Sequence, residues 1–86
     1  AMSVVVSPRA EKQIRKLAKF DQMAILDKIE LLPETSNVKK LGGYDNLYRV
    51  RVGNYRIVYR EFGDECYVEL VGHRKDVYKK LLRLRI

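Results

Sequence analysis

Residues 47–71 alternate between apolar and polar side chains, and this pattern constrains the fold more than any other feature of the chain. The alternation is interrupted by two glycine-first pairs, Gly53-Asn54 and Gly63-Asp64. A period of two is the pattern of a half-buried β-strand, and such pairs are typical of two-residue hairpin turns. The sequence therefore predicts three consecutive antiparallel strands.

The two turns fix the expected pairing of these strands. The first turn places Arg51 opposite Arg56, and the second places Ile57 opposite Leu70. Both registers bring one apolar set to a single face, where we expect it to pack against helices. The set comprises Tyr48, Val50, Val52, Tyr55, Ile57, Tyr59, Val68 and Leu70.

Helical spacing of apolar residues predicts three helices around these strands. Ser7-Pro8 is typical of a helix start, Asp21 is the expected cap of a second helix that Pro33 ends, and residues 76–84 form the third. Residues 2–6 are β-branched and predict a first strand, whereas residues 34–45 are expected to be a loop. The prediction is an α+β fold of order β-α-α-β-β-β-α, an antiparallel sheet with the helices packed on one face.

The length of 86 residues predicts a single domain spanning residues 1–86, in which Ala1 before Met2 is typical of a cloning scar. One cysteine, Cys66, allows no internal disulfide and suggests a reducing, cytoplasmic location. The longest apolar runs fall short of the roughly 20 residues that a membrane span needs. One histidine and one cysteine, with no carboxylate cluster and no phosphate-binding glycine loop, predict neither a metal nor a cofactor.

The net charge of +7 favours a nucleic-acid or acidic protein partner, and the charge is concentrated in the second half of the chain. The face opposite the apolar set carries Arg49, Arg51, Arg56 and Arg60. A like-charged cross-strand pair such as Arg51 and Arg56 is unfavourable by up to about 1 kcal/mol. A bound polyanion would reverse that effect, although each arginine taken alone is also typical of a solvated sheet face.

His73 and Arg74 follow the last strand, and the expected register places His73 opposite Asn54 and beside Arg51 and Arg56. The predicted corner thus holds several cations and the one histidine of the chain. Judged by spacing alone, Tyr78 is a core position of the last helix.

The segment YRVRVGNYRIVYR, followed by LVGHRKDVY at residues 70–78, resembles the RelE/ParE toxin superfamily and its RelE branch in particular. The resemblance covers nearly the whole chain and implies the toxin of a type II toxin–antitoxin pair. RelE-like toxins cut mRNA in the ribosomal A site without a metal and so inhibit translation. ParE-like relatives share the fold but inhibit DNA gyrase.

The resemblance also implies roles for individual residues. Attack of a ribose 2′-OH on the adjacent phosphate would leave a cyclic phosphate. The alternatives for the general base are His73, Glu69 and an arginine-assisted proton transfer. The expected partners are mRNA on the ribosome and a cognate acidic antitoxin that forms a hetero-oligomer with the toxin. The implied site consists of Arg56, His73, Arg74 and Tyr78 at the reacting phosphate, and Arg49 and Arg51 along the RNA; the place of Arg60 on the same sheet face adds it to the expected RNA contacts.

Two other functions stay open on the sequence. A ParE-like protein would inhibit gyrase through protein contacts, and a plain nucleic-acid-binding module would account for the charge. The corner formed by His73, Arg74 and Tyr78 favours the endoribonuclease.

Overall fold

The computed structural model describes residues 3–84, which form one five-stranded sheet and three helices. In chain order the elements are β1 (Ser3–Val6), α1 (Pro8–Arg15), α2 (Lys19–Glu30), β2 (Val38–Lys40), β3 (Leu47–Val52), β4 (Tyr55–Phe62), β5 (Glu65–His73) and α3 (Val77–Leu84). The predicted α+β class is confirmed, and Met2 of the predicted first strand lies outside the described residues.

The strands are arranged in the order β1-β5-β4-β3-β2. β1 pairs with β5 in parallel, so the prediction of a wholly antiparallel sheet is wrong at this edge. β2 lies inside the predicted loop and pairs antiparallel with β3. With three residues at a sheet edge, β2 is too short to produce a recognisable alternation.

The predicted register of the first hairpin is confirmed, including the opposed pair of Arg51 and Arg56. In the second hairpin the pairing of Tyr59 with Val68 is confirmed, but beyond it a β-bulge shifts the register by one residue. Glu69 is the extra residue, because Val68 pairs with Tyr59 and Leu70 with Val58. The predicted pairs of Ile57 with Leu70 and of Arg56 with Val71 are therefore wrong; Ile57 lies opposite Val71 and Arg56 opposite Gly72.

The bulge reverses the faces of the residues that follow it, and the sheet is consequently covered on both sides. α1 and α2 pack on one face, against a cluster that includes Ile57, Tyr59 and Val71. α3 packs on the opposite face, where its Val77 and Leu81 meet Leu47, Val58 and Leu70. The prediction that all helices share one face is wrong, and so is the placement of Leu70 with the first cluster.

The starts of α1 and α2 differ in whether a side chain caps the helix. Ser7 is the N-cap of α1, as predicted, and its Oγ accepts a hydrogen bond from the Ala10 amide at 3.0 Å. α2 begins before the expected cap Asp21: Ala18 stands at its N-cap position and provides no side-chain bond. Asp21 lies within the first turn instead, where its negative charge suits the helix dipole.

Two buried titratable groups belong to the first cluster. Burial raises the pKa of the Tyr59 phenol, and the nearby Glu61 carboxylate raises it further. Burial also raises the pKa of the Cys66 thiol, with Glu61 again adding to the effect. Both side chains are thus held protonated and serve the packing of the core.

Candidate active site

A cleft of about 410 Å³ lies on the α3 face of the sheet, between the end of the β3–β4 hairpin and the start of α3. Its walls come from the β3–β4 hairpin, from the segment between β5 and α3, and from the start of α3. The lining residues are Arg49, Arg51, Arg56, Arg74, Lys75 and Tyr78. We call this site the cationic cleft.

The strand arginines reach the cleft because residues two apart on a strand share a face. Arg49 and Arg51 follow Leu47 on β3 at this spacing, and Arg56 pairs with Arg51 across the hairpin. Arg56 Nη1 donates to the carbonyls of Gly53 at 3.1 Å and Tyr55 at 2.9 Å. These bonds hold the guanidinium group at the hairpin end of the cleft.

The segment between β5 and α3 supplies two further cations. The Arg74 amide donates to the Asn54 carbonyl at 2.7 Å, which ties this segment to the hairpin turn. The turn itself is built on His73, whose Nδ1 accepts from the Lys75 amide at 3.2 Å and whose carbonyl accepts from the Asp76 amide at 2.9 Å. His73 therefore helps to set the direction in which the Arg74 and Lys75 side chains leave the backbone.

Tyr78 completes the cleft from the first turn of α3. Its neighbour Val77 is fully buried against the sheet, whereas Tyr78 is 40% exposed. The expectation from spacing that Tyr78 is a core residue is wrong, because α3 covers the sheet with Val77 and Leu81. Tyr78 thus offers a ring and a hydroxyl group to any molecule that occupies the cleft.

The expected position of His73 beside Arg51 and Arg56 is wrong. The bulge places His73 opposite Tyr55, and the two rings contact edge to face with centroids 5.8 Å apart. The imidazole lines a separate pocket with residues of α2, on the other side of the sheet from the cationic cleft. His73 acts on the cleft through its backbone and its turn, and its ring is not part of the lining.

Arg60 and Glu69 also lie outside the cleft. Arg60 Nε and Glu69 Oε2 are 3.3 Å apart, and both side chains are only 14% exposed. Arg60 Nη1 further donates to Asn46 Oδ1 at 3.1 Å. Glu69 and Asn46 hold Arg60 near the start of β3, away from the arginines that line the cleft. The ion pair with Arg60 also engages the Glu69 carboxylate, which was a candidate base.

Lys75 is the lining residue that the sequence analysis missed. It follows Arg74 in a turn, where no periodicity indicates the direction of a side chain. The available signal was its position between Arg74 and Tyr78, two residues that the family resemblance had already singled out.

Five positive side chains and one phenol line the cationic cleft, and no Asp, Glu or His side chain from residues 3–84 joins them. Such a surface suits a chain of phosphates, because guanidinium groups match phosphate oxygens with paired hydrogen bonds. An RNA strand in the cleft would also relieve the repulsion between Arg51 and Arg56.

Neither a metal-binding group nor a membrane-spanning helix is present among residues 3–84. Among residues 3–84 no three His, Cys, Asp or Glu side chains are grouped closely enough to hold a metal ion. Over the same residues no helix is long and apolar enough to cross a membrane.

Comparison with known proteins gives a consistent result. The family model described as the ParE toxin of the type II toxin–antitoxin system, parDE, matches residues 4–78. Toxin RelE3 of Methanocaldococcus jannaschii is 50% identical over 42 residues, which are 49% of this chain and 48% of the relative. The match thus spans about half the length of that curated relative.

Solved structures extend the similarity to the full fold. The RelB–RelE antitoxin–toxin complex from Methanococcus jannaschii has a chain with a TM-score of 0.77 and 30% identity, covering 88% of this chain and 96% of that one. A double mutant of the Escherichia coli toxin RelE in the free state also has a TM-score of 0.77, at 24% identity over 100% of this chain and 99% of that one, and shows the shared fold.

The fold and the family match together define the class: the chain belongs to the RelE/ParE superfamily of toxins from type II toxin–antitoxin systems. The resemblance inferred from the sequence motifs is confirmed, and the RelE chain of the Methanococcus jannaschii complex is the similar structure that represents its RelE side.

Proposed function

We propose that this protein is a RelE-like endoribonuclease that cuts mRNA in the ribosomal A site. The observation that carries the proposal is the cationic cleft, in which five cations converge on one face with a tyrosine at its rim. A surface built for protein contact alone has no need of Arg51 directly opposite Arg56. RNA phosphate supplies the negative charge that this arrangement requires.

The proposed reaction is attack of a ribose 2′-OH on the adjacent phosphorus, with departure of the 5′-oxygen and formation of a cyclic phosphate. Negative charge builds on the phosphate oxygens in the transition state, and fixed guanidinium groups stabilise it. Arg56 and Arg74 lie at the hairpin end of the cleft and are assigned to the reacting phosphate. Arg49 and Arg51 are assigned to the neighbouring RNA backbone.

The two proton transfers need a group that can both take up and release a proton. Guanidinium groups stay protonated in proteins, which excludes the four arginines from this task. Of the groups that line the cleft within residues 3–84, Lys75 and Tyr78 remain. We assign the proton transfers to these two side chains: Lys75 as its neutral amine takes up the proton of the 2′-OH, and the Tyr78 phenol releases its proton to the departing 5′-oxygen.

The proposal is tested by adding the protein to a cell-free translation reaction and mapping the 5′ ends of the mRNA. We expect cuts within A-site codons that appear only when ribosomes translate the message. Intact mRNA, together with gyrase-dependent DNA breaks in cells that produce the protein, would instead support a ParE-like inhibitor. That alternative is retained because the matching family model is the one of the ParE toxin.

We also propose a cognate antitoxin with an acidic segment as the partner that restrains the toxin. The net charge of +7 and the cationic cleft favour an acidic partner. A toxin–antitoxin complex is the form in which the similar RelE of Methanococcus jannaschii was solved.

Substitution of His73 should leave the shape of the pH profile of cleavage unchanged. The imidazole lies on the opposite face from the cleft, so its ionisation does not supply a proton-transfer step. In the His73→Asn variant a side-chain oxygen can replace Nδ1 as the acceptor for the Lys75 amide. The measurement is the single-turnover rate on ribosome-bound mRNA between pH 5.5 and 8.5; loss of an inflection in the variant would return His73 to the mechanism.

The Lys75→Arg variant separates proton transfer from simple charge. Arginine keeps the positive charge but cannot deprotonate, so the single-turnover rate should fall by about 10²-fold. Binding of uncleaved mRNA should change little, because the charge is retained. Lys79→Arg is the matched control, because Lys79 is an exposed lysine of α3 outside the cleft lining, and its rate should stay unchanged. A Lys75→Arg rate within a few-fold of the unsubstituted protein would contradict a proton-transfer role for Lys75.

A further inference from the structure

A second pocket, of about 460 Å³, lies at the same end of the sheet as the cationic cleft but on the face that α1 and α2 cover. Three segments build it: the start of α2, the β3–β4 turn and the end of β5. Its lining residues are Phe20, Asp21, Ala24, Val52, Gly53, Asn54, Tyr55 and His73. We call it the hairpin-tip pocket.

Aromatic rings form a large part of the hairpin-tip pocket. Tyr55 and His73 contact edge to face, at an interplanar angle of 79°, and this contact fixes both rings. Phe20 stands in the first turn of α2 and is 82% exposed, so it contributes little to the core. An exposed phenylalanine beside two fixed rings offers a flat surface on which a planar aromatic ligand can stack.

Asp21 supplies the carboxylate of the pocket. It does not cap α2, whose N-cap is Ala18, and within residues 3–84 it makes no salt bridge or side-chain hydrogen bond. A free carboxylate accepts two parallel N–H bonds. Among the common nucleobases, guanine presents two N–H groups side by side on its Watson–Crick edge, which matches this acceptor.

Consecutive residues of the chain line the hairpin-tip pocket and the cationic cleft, on the two faces of the same end of the sheet. Tyr55 of the pocket precedes Arg56 of the cleft on β4, and His73 precedes Arg74 at the end of β5. A strand whose phosphates occupy the cleft can pass the hairpin turn and deliver a base to the pocket. We propose that the hairpin-tip pocket binds an unpaired guanine of the bound RNA, stacked on Phe20 and hydrogen-bonded to Asp21. The inference rests on RNA as the substrate class of the proposed function.

The test measures binding without cleavage and without ribosomes. Two fluorescein-labelled hexanucleotides carry 2′-O-methyl groups, which block the attacking hydroxyl; one is all uridine and the other has a single central guanosine. Fluorescence anisotropy should show tighter binding of the guanosine oligonucleotide by about tenfold, within the discrimination that one bidentate hydrogen-bonded pair supplies. The Phe20→Ala variant should lose this difference, and Asp21→Asn should lose most of it.

Met23→Ala is the matched control, because Met23 is an exposed apolar residue of α2 that does not line the pocket. It should keep the tenfold preference. Equal affinities of the unsubstituted protein for the two oligonucleotides, or equal losses in Phe20→Ala and Met23→Ala, would overturn the proposal. Arg74→Ala should weaken both oligonucleotides alike, so loss of cleft binding is distinguishable from loss of base binding.

The guanine could belong to the message or to ribosomal RNA, and cleavage mapping with Asp21→Asn distinguishes the two. A changed distribution of cut codons assigns the base to the message. An unchanged distribution with weaker ribosome binding assigns it to ribosomal RNA. Both results support base binding, whereas unchanged cuts and unchanged ribosome binding count against it.

Discussion

The Arg56→Ala and Arg74→Ala variants should each reduce ribosome-dependent mRNA cleavage by about 10² to 10³-fold. This is the loss expected when one fixed donor to a developing oxyanion is removed. The effect should fall on the single-turnover rate, because both guanidinium groups are assigned to the phosphate at which negative charge builds. The rate is measured by following the cleaved fragment at saturating toxin.

The two arginines reach the phosphate from different elements, and this makes their substitution informative. Arg56 is held by carbonyls of the hairpin turn, whereas Arg74 is tied to the same turn through its backbone amide. Truncating Arg74 removes a donor and leaves its backbone bond to Asn54 in place, whereas truncating Arg56 also removes the bonds from its Nη1 to the carbonyls of Gly53 and Tyr55. A loss of activity therefore reports on the chemistry, provided that the circular dichroism spectrum and the melting temperature are unchanged.

Two arginines outside the cleft test whether the loss of any positive charge has the same effect as the loss of Arg56 or Arg74. Arg15 on α1 pairs with Glu11 far along the chain from the cleft, and Arg60 pairs with Glu69 on the sheet. Cleavage by Arg15→Ala and Arg60→Ala should stay within about threefold of the unsubstituted protein, measured where both variants are folded, since neither side chain lines the cationic cleft. Equal losses at Arg56 and Arg60 would instead support the expectation from the sheet alternation that Arg60 contacts the RNA.

The first hairpin could be predicted residue by residue because two independent features agree there. Alternation fixes which side chains share a face, and Gly53-Asn54 fixes the register. The positive φ of Gly53, +58°, is the conformation that this turn requires at its first central residue. The three cleft arginines of this hairpin were identified in this way, and the family resemblance added Arg74 and Tyr78, so that five of the six lining residues were expected from the sequence.

The register of the second hairpin could not be predicted past Glu69 from the alternation alone. Residues 70 and 71 are both apolar, so the registers with and without a bulge each bury an apolar side chain on either face. Leu70 and Val71 are adjacent and both apolar, and each is buried on a different face. The neglected signal was that Leu47 and Val58 are apolar positions on the face expected to be cationic. Together with the apolar side of α3 they indicate a second covered face.

That single extra residue decides which side chains meet in the site. It turns His73 away from the arginines and toward Tyr55, while Arg56 lies opposite Gly72. A site expected to hold His73, with His73 and Glu69 among the candidate bases, becomes a cleft in which Lys75 and Tyr78 are the lining side chains other than arginine. Bulges commonly redirect side chains next to functional sites, and this one has that effect.

The Leu70→Ala variant should lose about 2–5 kcal/mol of unfolding free energy and should release α3 selectively. Leu70 is fully buried in the cluster that anchors α3, so truncation leaves a cavity beneath Val77 and Leu81. For a protein whose total stability is on the order of 5–15 kcal/mol this is a large fraction. Urea denaturation should show a lower midpoint with an unchanged slope.

Ile57→Ala is the matched control, since Ile57 is equally buried but belongs to the cluster beneath α1 and α2. Both variants should lose similar global stability. In native-state hydrogen exchange, however, Leu70→Ala should speed exchange of the α3 amides relative to those of α1, and Ile57→Ala should do the reverse. Because α3 carries Tyr78 and follows Lys75, Leu70→Ala should also lose more cleavage activity at temperatures where both variants are folded. The opposite exchange pattern would place Leu70 under α1 and α2, as alternation without a bulge had predicted.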